Sequence, residues 1–206
     1  MLARVFVFAA ALGLTTSACA QTSSPAPASR ASLDGCEGCD GVYERPEGDL
    51  GWSLTIPPDD EPGEPLVLTG RALRTDGETP APGVLLYIHQ TNAEGVYPRQ
   101  PGATGWGVRH GALRGWLVTG PDGRYEIRTI RPGAYPGRNV PAHVHIFVKD
   151  VEHPPYYLYD TVFEDDPYVT PAYRASLTDR LDSGIISLTR DADGTWNGRR
   201  DIVLEY

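Results

Sequence analysis

Pro141-Ala142-His143-Val144-His145-Ile146-Phe147-Val148 alternates imidazole or aromatic with aliphatic side chains from His143 onward. Side chains alternate faces along a β-strand, so His143, His145 and Phe147 share one face and Val144, Ile146 and Val148 the other. The aliphatic face reads as core. Two imidazoles at this spacing stand about 6.6 Å apart along a strand. They can converge on one metal ion, and imidazole is the commonest metal ligand. A solvent-facing pair of polar residues would show the same local pattern, so the rest of the chain has to decide.

Outward from this strand the chain reads as further short strands. Leu66 to Leu73 is followed by a turn at Thr75-Asp76-Gly77. Val84 to Gln90 places Val84, Leu86 and Ile88 on one face and Leu85, Tyr87 and His89 on the other. Arg114 to Thr119 and Arg124 to Ile130 flank Gly120-Pro121-Asp122-Gly123, which reads as a hairpin turn. An aromatic strand is expected at Tyr156 to Phe163, then Ile185 to Thr189 and Asp201 to Tyr206, with Asp191 to Gly198 as the last hairpin's turn. One helix is expected at Pro171 to Leu181, with Thr170 as its N-cap and Pro171 at its first position. With 23 glycines and 19 prolines in 206 residues, this pattern predicts an all-β fold: an antiparallel β-sandwich with long loops and at most one short helix.

The 18 basic and 27 acidic residues leave a net charge of -9. That balance repels phosphates, and no basic stripe is present, so nucleic acid is not an expected partner. Residues 1–20 read as an export signal: Arg4, an apolar run from Val5 to Leu14, then small residues. The run is shorter than a membrane span. Two processing schemes fit. Thr16-Ser17-Ala18-Cys19 resembles a bacterial lipoprotein box, which would leave Cys19 as a lipid anchor. Ala18-Cys19-Ala20 fits a small-x-small cut before Gln21, giving a soluble periplasmic or secreted protein. Residues 21–45, rich in Ser, Ala and Pro at their start, are expected to be a flexible tether. The folded domain is expected over residues 46–206. Of the three cysteines, Cys36 and Cys39 remain after either scheme and are expected to form a local disulfide in an oxidising compartment.

The chain has five histidines and eleven tyrosines, and spacing alone does not select the partners of His143 and His145. Three segments read together do more: Asn92-Ala93-Glu94-Gly95-Val96-Tyr97, then Thr129 through Arg138 with Arg131-Pro132-Gly133-Ala134-Tyr135, then Pro141-Ala142-His143-Val144-His145. In this order they resemble the intradiol ring-cleavage dioxygenases, particularly the iron-bearing subunit of protocatechuate 3,4-dioxygenase. Thr119 through Tyr125, Asp165-Asp166-Pro167 and Asp201 through Leu204 extend the resemblance over roughly residues 60–206.

The resemblance implies a mononuclear non-haem Fe(3+) held by Tyr97, Tyr135, His143 and His145. It implies a catechol-type aromatic substrate, dioxygen as co-substrate, and cleavage between the two hydroxyls to a muconate-type diacid. Tyr135 would be ligand first and proton acceptor second. The resemblance also leaves an oligomer open. The chain departs from the family at Val140, where members carry an Arg that offsets negative charge on the substrate. Arg138 is the nearest replacement cation, ahead of Arg131, Arg109 and Arg114. The segment from Tyr135 to His143 is also shorter than in protocatechuate enzymes. Val140 keeps a second reading open: a non-catalytic β-sandwich that binds iron or catecholate-iron complexes.

Overall fold

The computed structural model describes residues 36–57, 61–177 and 182–206. The export signal, Cys19 and residues 21–35 of the tether lie outside the described residues.

Among the described residues, twelve strands form two sheets. The first contains β1 (Ser53–Thr55), β2 (Pro65–Leu73), β5 (Arg124–Ile130), β10 (Leu188–Arg190), β11 (Trp196–Arg199) and β12 (Ile202–Val203). Its order is β1-β5-β2-β11-β10, with β12 also paired to β2. The second contains β3 (Leu85–Gln90), β4 (Arg114–Val118), β6 (His143–Lys149), β7 (Tyr156–Tyr157), β8 (Thr161–Phe163) and β9 (Ile185–Ile186). Its order is β4-β3-β6-β8-β9, with β7 on β6. Leu66, Leu68 and Ile127 of the first sheet and Leu86, Ile88 and Ile146 of the second belong to one buried cluster. The β-sandwich is therefore as expected. The sheets are mixed rather than wholly antiparallel: β1 with β5, β2 with β11 and β12, and β8 with β9 run parallel.

Several local expectations are corrected. The Gly120–Gly123 turn closes tightly, with Gly123 N donating to Gly120 O. However, β4 pairs with β3 and β5 pairs with β2, so this is a corner between the sheets and not a hairpin. Turn residues specify a chain reversal, not which strand the chain pairs with next. The Tyr156–Phe163 strand breaks into β7 and β8, with Asp160 in the interruption. The last hairpin turn is shorter than expected: Asp191 Oδ1 accepts from Thr195 N at 2.9 Å and Asp193 N at 3.0 Å, so pairing resumes at Trp196. Helix α2 spans Pro171–Ala175, and Thr170 caps it by accepting from Tyr173 N, as expected. It ends before Ser176, and residues 178–181 are outside the described set.

A second short helix, α1 (Gly107–His110), and a 3-10 helix at Cys39–Glu44 were not anticipated. Both are too brief to show a helical period. The 3-10 segment also moves the start of the packed domain. Residues 36–45 were read as tether, but Cys39 and Val42 are buried against Tyr87 and Phe147. The Cys36–Cys39 disulfide, with Cα atoms 5.6 Å apart, closes the turn that leads into it.

Candidate metal centre

The two tyrosines reach the site on loops that interlock through glycine. Gly95, at φ 79°, lies so close to the other loop that a Cβ would stand 1.9 Å from Ala134 O. A Cβ on Gly133 would stand 2.4 Å from Ala93 O. Only glycine permits both approaches and the left-handed backbone at Gly95. Gly133 N donates to Asn92 O at 2.8 Å, and Thr91 Oγ1 donates to Gly133 O at 2.8 Å. The Asp165-Asp166 motif braces the same region. Asp165 pairs with Arg131 at 2.7 Å, and Asp166 accepts from Ala142 N at 2.9 Å, directly before the first histidine.

Four donor atoms converge. The Tyr97 and Tyr135 hydroxyls are 2.6 Å apart. Tyr135 Oη lies 3.2 Å from His143 Nε2 and 3.4 Å from His145 Nε2. The two Nε2 atoms are 3.1 Å apart. His143 Nδ1 is 2.7 Å from Pro141 O, a pure acceptor. His145 Nδ1 is 2.7 Å from Asp160 Oδ1. Each Nδ1 therefore carries its ring's proton, and each Nε2 presents a lone pair. Two lone pairs facing each other at this distance call for a positive centre between them. Two donors each about 2.1 Å from one ion and at right angles stand about 3.0 Å apart, so the donor set fits a metal ion.

Asp160 lies within the same cluster of ligand atoms. Its carboxylate faces Nδ1 of His145, on the far side of the ring, so it orients a ligand and is not one. Burial pushes the Asp160 carboxyl up, but the His145 hydrogen bond and the His145, His143 and Arg200 charges together hold it below its ordinary value. Burial pushes the Tyr97 hydroxyl far above its ordinary range, helped by the Tyr135 hydrogen bond. Burial also raises Tyr135, against the lowering effect of Tyr97. Burial lowers His143. Both phenols therefore stay protonated at neutral pH unless a cation offsets the charge of the phenolate.

The family model described as Dioxygenase matches residues 47–205. The chain belongs to the intradiol dioxygenase family. It is similar to hydroxyquinol 1,2-dioxygenase of Rhizobium sp. (strain MTP-10005), with 34% identity over 146 residues, covering 62% of this chain and 46% of that protein. The chain thus spans less than half the length of that relative. The dioxygenase domain of a dioxygenase–carbohydrate-binding fusion from Streptomyces sp. SirexAA-E superposes with TM-score 0.57 and 26% identity, over 78% of this chain and 90% of that one. Catechol 1,2-dioxygenase from Acinetobacter sp. ADP1 shares the fold, with TM-score 0.59 and 20% identity over 78% of this chain and 59% of that one.

The donor atoms border a cavity of about 430 Å³. Tyr97, Tyr135 and His145 line it, with Trp106 and Phe147 as aromatic walls. Arg138 does not line it; that side chain is exposed on the loop after Tyr135 and touches the site only through its charge on the Tyr135 hydroxyl. The cavity's arginine is Arg109, paired with Glu37 at 2.5 Å. Two histidines not singled out by spacing also line it. His89 stacks on His110 with ring centroids 3.8 Å apart, and lies 4.3 Å from the His145 ring. Burial pushes the His110 imidazole down to about 4 and His89 well below its ordinary value. His89 Nδ1 is buried with no hydrogen-bond partner among the described residues. The alternation of Leu85, Tyr87 and His89 already put His89 on one face; what the sequence lacked was the β3–β6 register that sets it beside His145.

Proposed function

We propose that the chain is an exported iron(III) dioxygenase that opens a catechol ring between its two hydroxyls, using dioxygen, to give a muconate-type diacid. The observation that carries this reading is the meeting of two phenol oxygens and two imidazole lone pairs at an aromatic-walled cavity. Hard anionic phenolate oxygens with two neutral imidazoles favour ferric iron over softer ions. Bound there, the ion would act as a Lewis acid toward the two catechol oxygens.

The chain's own residues supply the rest. Pro141 O and Asp160 fix the two imidazoles in the tautomer that leaves Nε2 free to ligate. Tyr135 is placed by a loop rather than a strand. The burial that raises its hydroxyl makes its phenolate a strong base, suited to take a proton from a substrate hydroxyl at Oη. Trp106 and Phe147 present ring faces to an aromatic substrate and keep bulk water from it. Export is supported by the apolar run from Val5 to Leu14 and by the Cys36–Cys39 disulfide, a bond that persists in oxidising compartments. A lipid anchor at Cys19 belongs to one of the two processing schemes.

Protein loaded with ferric iron should be red-brown from tyrosinate absorption and should consume dioxygen in proportion to added catechol, with a diacid product by mass spectrometry. Selective retention of zinc without a visible band would overturn the metal assignment. Catechol binding without oxygen uptake would overturn the activity. It would leave a binder of catecholate-iron complexes, the reading that Val140 favours.

A further inference from the structure

His110 ends α1, and its imidazole lines the cavity with only 9% of its surface exposed. Its Nδ1 lies 2.7 Å from the Tyr87 hydroxyl. The Arg114 guanidinium carries its charge beside the Tyr87 oxygen, which draws that oxygen's lone pairs toward it and turns the hydroxyl hydrogen away. The Tyr87 hydrogen is therefore directed to His110 Nδ1, and the ring's own hydrogen sits on Nε2. That Tyr87–Arg114 arm is held by Glu44, which accepts from Arg114 Nη1 at 2.6 Å and from Trp106 N at 2.7 Å.

No described residue accepts the His110 Nε2 hydrogen. Gly38 lies against this edge of the ring, where a Cβ would stand 3.1 Å from Nε2 and 3.0 Å from Cε1. Glycine leaves the donor uncovered. Through His89, which stacks on His110 and tilts against His145, the His110 ring is two ring contacts from His145. That is the reach of a ring substituent on a catechol whose oxygens sit at the metal donors. The wall's cation, Arg109, is already neutralised by Glu37.

We propose that His110 Nε2–H selects the substrate: it donates to an uncharged acceptor, such as an alkoxy, hydroxyl or carbonyl oxygen, carried on the catechol ring away from its two hydroxyls. Tyr87 is the positioning residue that holds the donor tautomer. This rests on the catechol-binding reading above.

The test is anaerobic titration of the ferric protein, followed by its visible absorption, with 4-methoxycatechol, 4-ethylcatechol and protocatechuate. Methoxy and ethyl groups match in size, and only methoxy accepts a hydrogen bond. The wild type should bind the methoxy compound about 10-fold tighter than the ethyl compound, the effect of one hydrogen bond, and protocatechuate more weakly than either. His110→Phe should bring the methoxy-to-ethyl ratio close to one. Tyr87→Phe should lower it part of the way, because the imidazole can then flip its proton to Nδ1. A collapsed pocket would weaken both ligands and leave the ratio unchanged. A wild-type ratio of one, a ratio untouched by His110→Phe, tightest binding of protocatechuate, or binding of none of the three overturns the proposal. A ratio of the expected size with no aerobic turnover would leave it standing and overturn only the dioxygenase activity.

Discussion

Strands β3 and β6 carry two faces that are both largely buried and otherwise unlike. On one, Leu86, Ile88, Val144, Ile146 and Val148 are at most 2% exposed and pack toward the other sheet. On the other, Tyr87, His89, His143 and Phe147 are at most 6% exposed. They are covered by the 3-10 segment and the tyrosine loops. Burial therefore does not separate core from site here. Polar bookkeeping does: on the aliphatic face the polar side chain, Gln90, is satisfied, donating to Ile130 O and accepting from Thr129 Oγ1. The imidazole face holds two opposed lone pairs and an unpartnered His89 Nδ1. Buried polar groups left incomplete mark where a protein does something other than hold itself together.

The sharpest way to separate the faces is to remove one atom group from each. On the chemical side, Tyr135→Phe should lower turnover by ~10²–10⁴-fold, the usual worth of a general base, while Tyr97→Phe should weaken iron retention and shift the colour. Steady-state rates beside metal analysis read the two outcomes. On the aliphatic side, Ile146→Ala should cost about 2–5 kcal/mol of stability, measured by denaturant unfolding, with the ratio of bound iron to folded protein unchanged.

A smaller effect is expected at Asp160. Asp160→Asn removes the carboxylate behind His145 and should weaken metal binding by roughly 10–100-fold, seen by competition with a chelator. Acid should tell the faces apart as well. His110 holds an imidazole pushed down from 6.5 to about 4. Between those values the unfolded chain takes up a proton that the native ring refuses, so stability falls as pH drops from 6.5 toward 4 and is flat above. His110→Gln should lessen that slope in thermal melts of the metal-free protein. The smallest change is His89→Phe. It removes the unpartnered Nδ1 while keeping a stacking ring, so unfolding free energy should move by less than about 1 kcal/mol. A large loss would mean that the imidazole has a partner the described residues do not supply.

The division into faces was legible in the sequence because alternation is local: His143, His145 and Phe147 against Val144, Ile146 and Val148. The ordered tyrosines were legible because the loops that carry them have their own motif glycines. What was hidden is what lies across strands. His89 meets His145 only through the β3–β6 register, and His110 arrives on a helix too short to have a period. Asp160 sat inside a stretch that read as one strand, and nothing local announced the break that turns it toward His145. Arg138 was preferred over Arg109 for its closeness in sequence to Tyr135; the fold brings Arg109 to the cavity from the other side. The Gly120–Gly123 turn was visible as a turn but silent about its partner strands.

The segment ahead of residue 47 has its own consequence. Tyr97, Tyr135, His143 and His145, the four proposed metal donors, all lie within the stretch shared with the dioxygenase family, residues 47–205. Glu37, Gly38 and Glu44, which border the cavity and steady the arm behind His110, lie before it. On the proposed reading, the segment ahead of residue 47 supports the wall around His110 and none of the four donor atoms. An exchange of this short cystine-closed segment would then alter the surroundings of His110 and leave the four donor atoms in place.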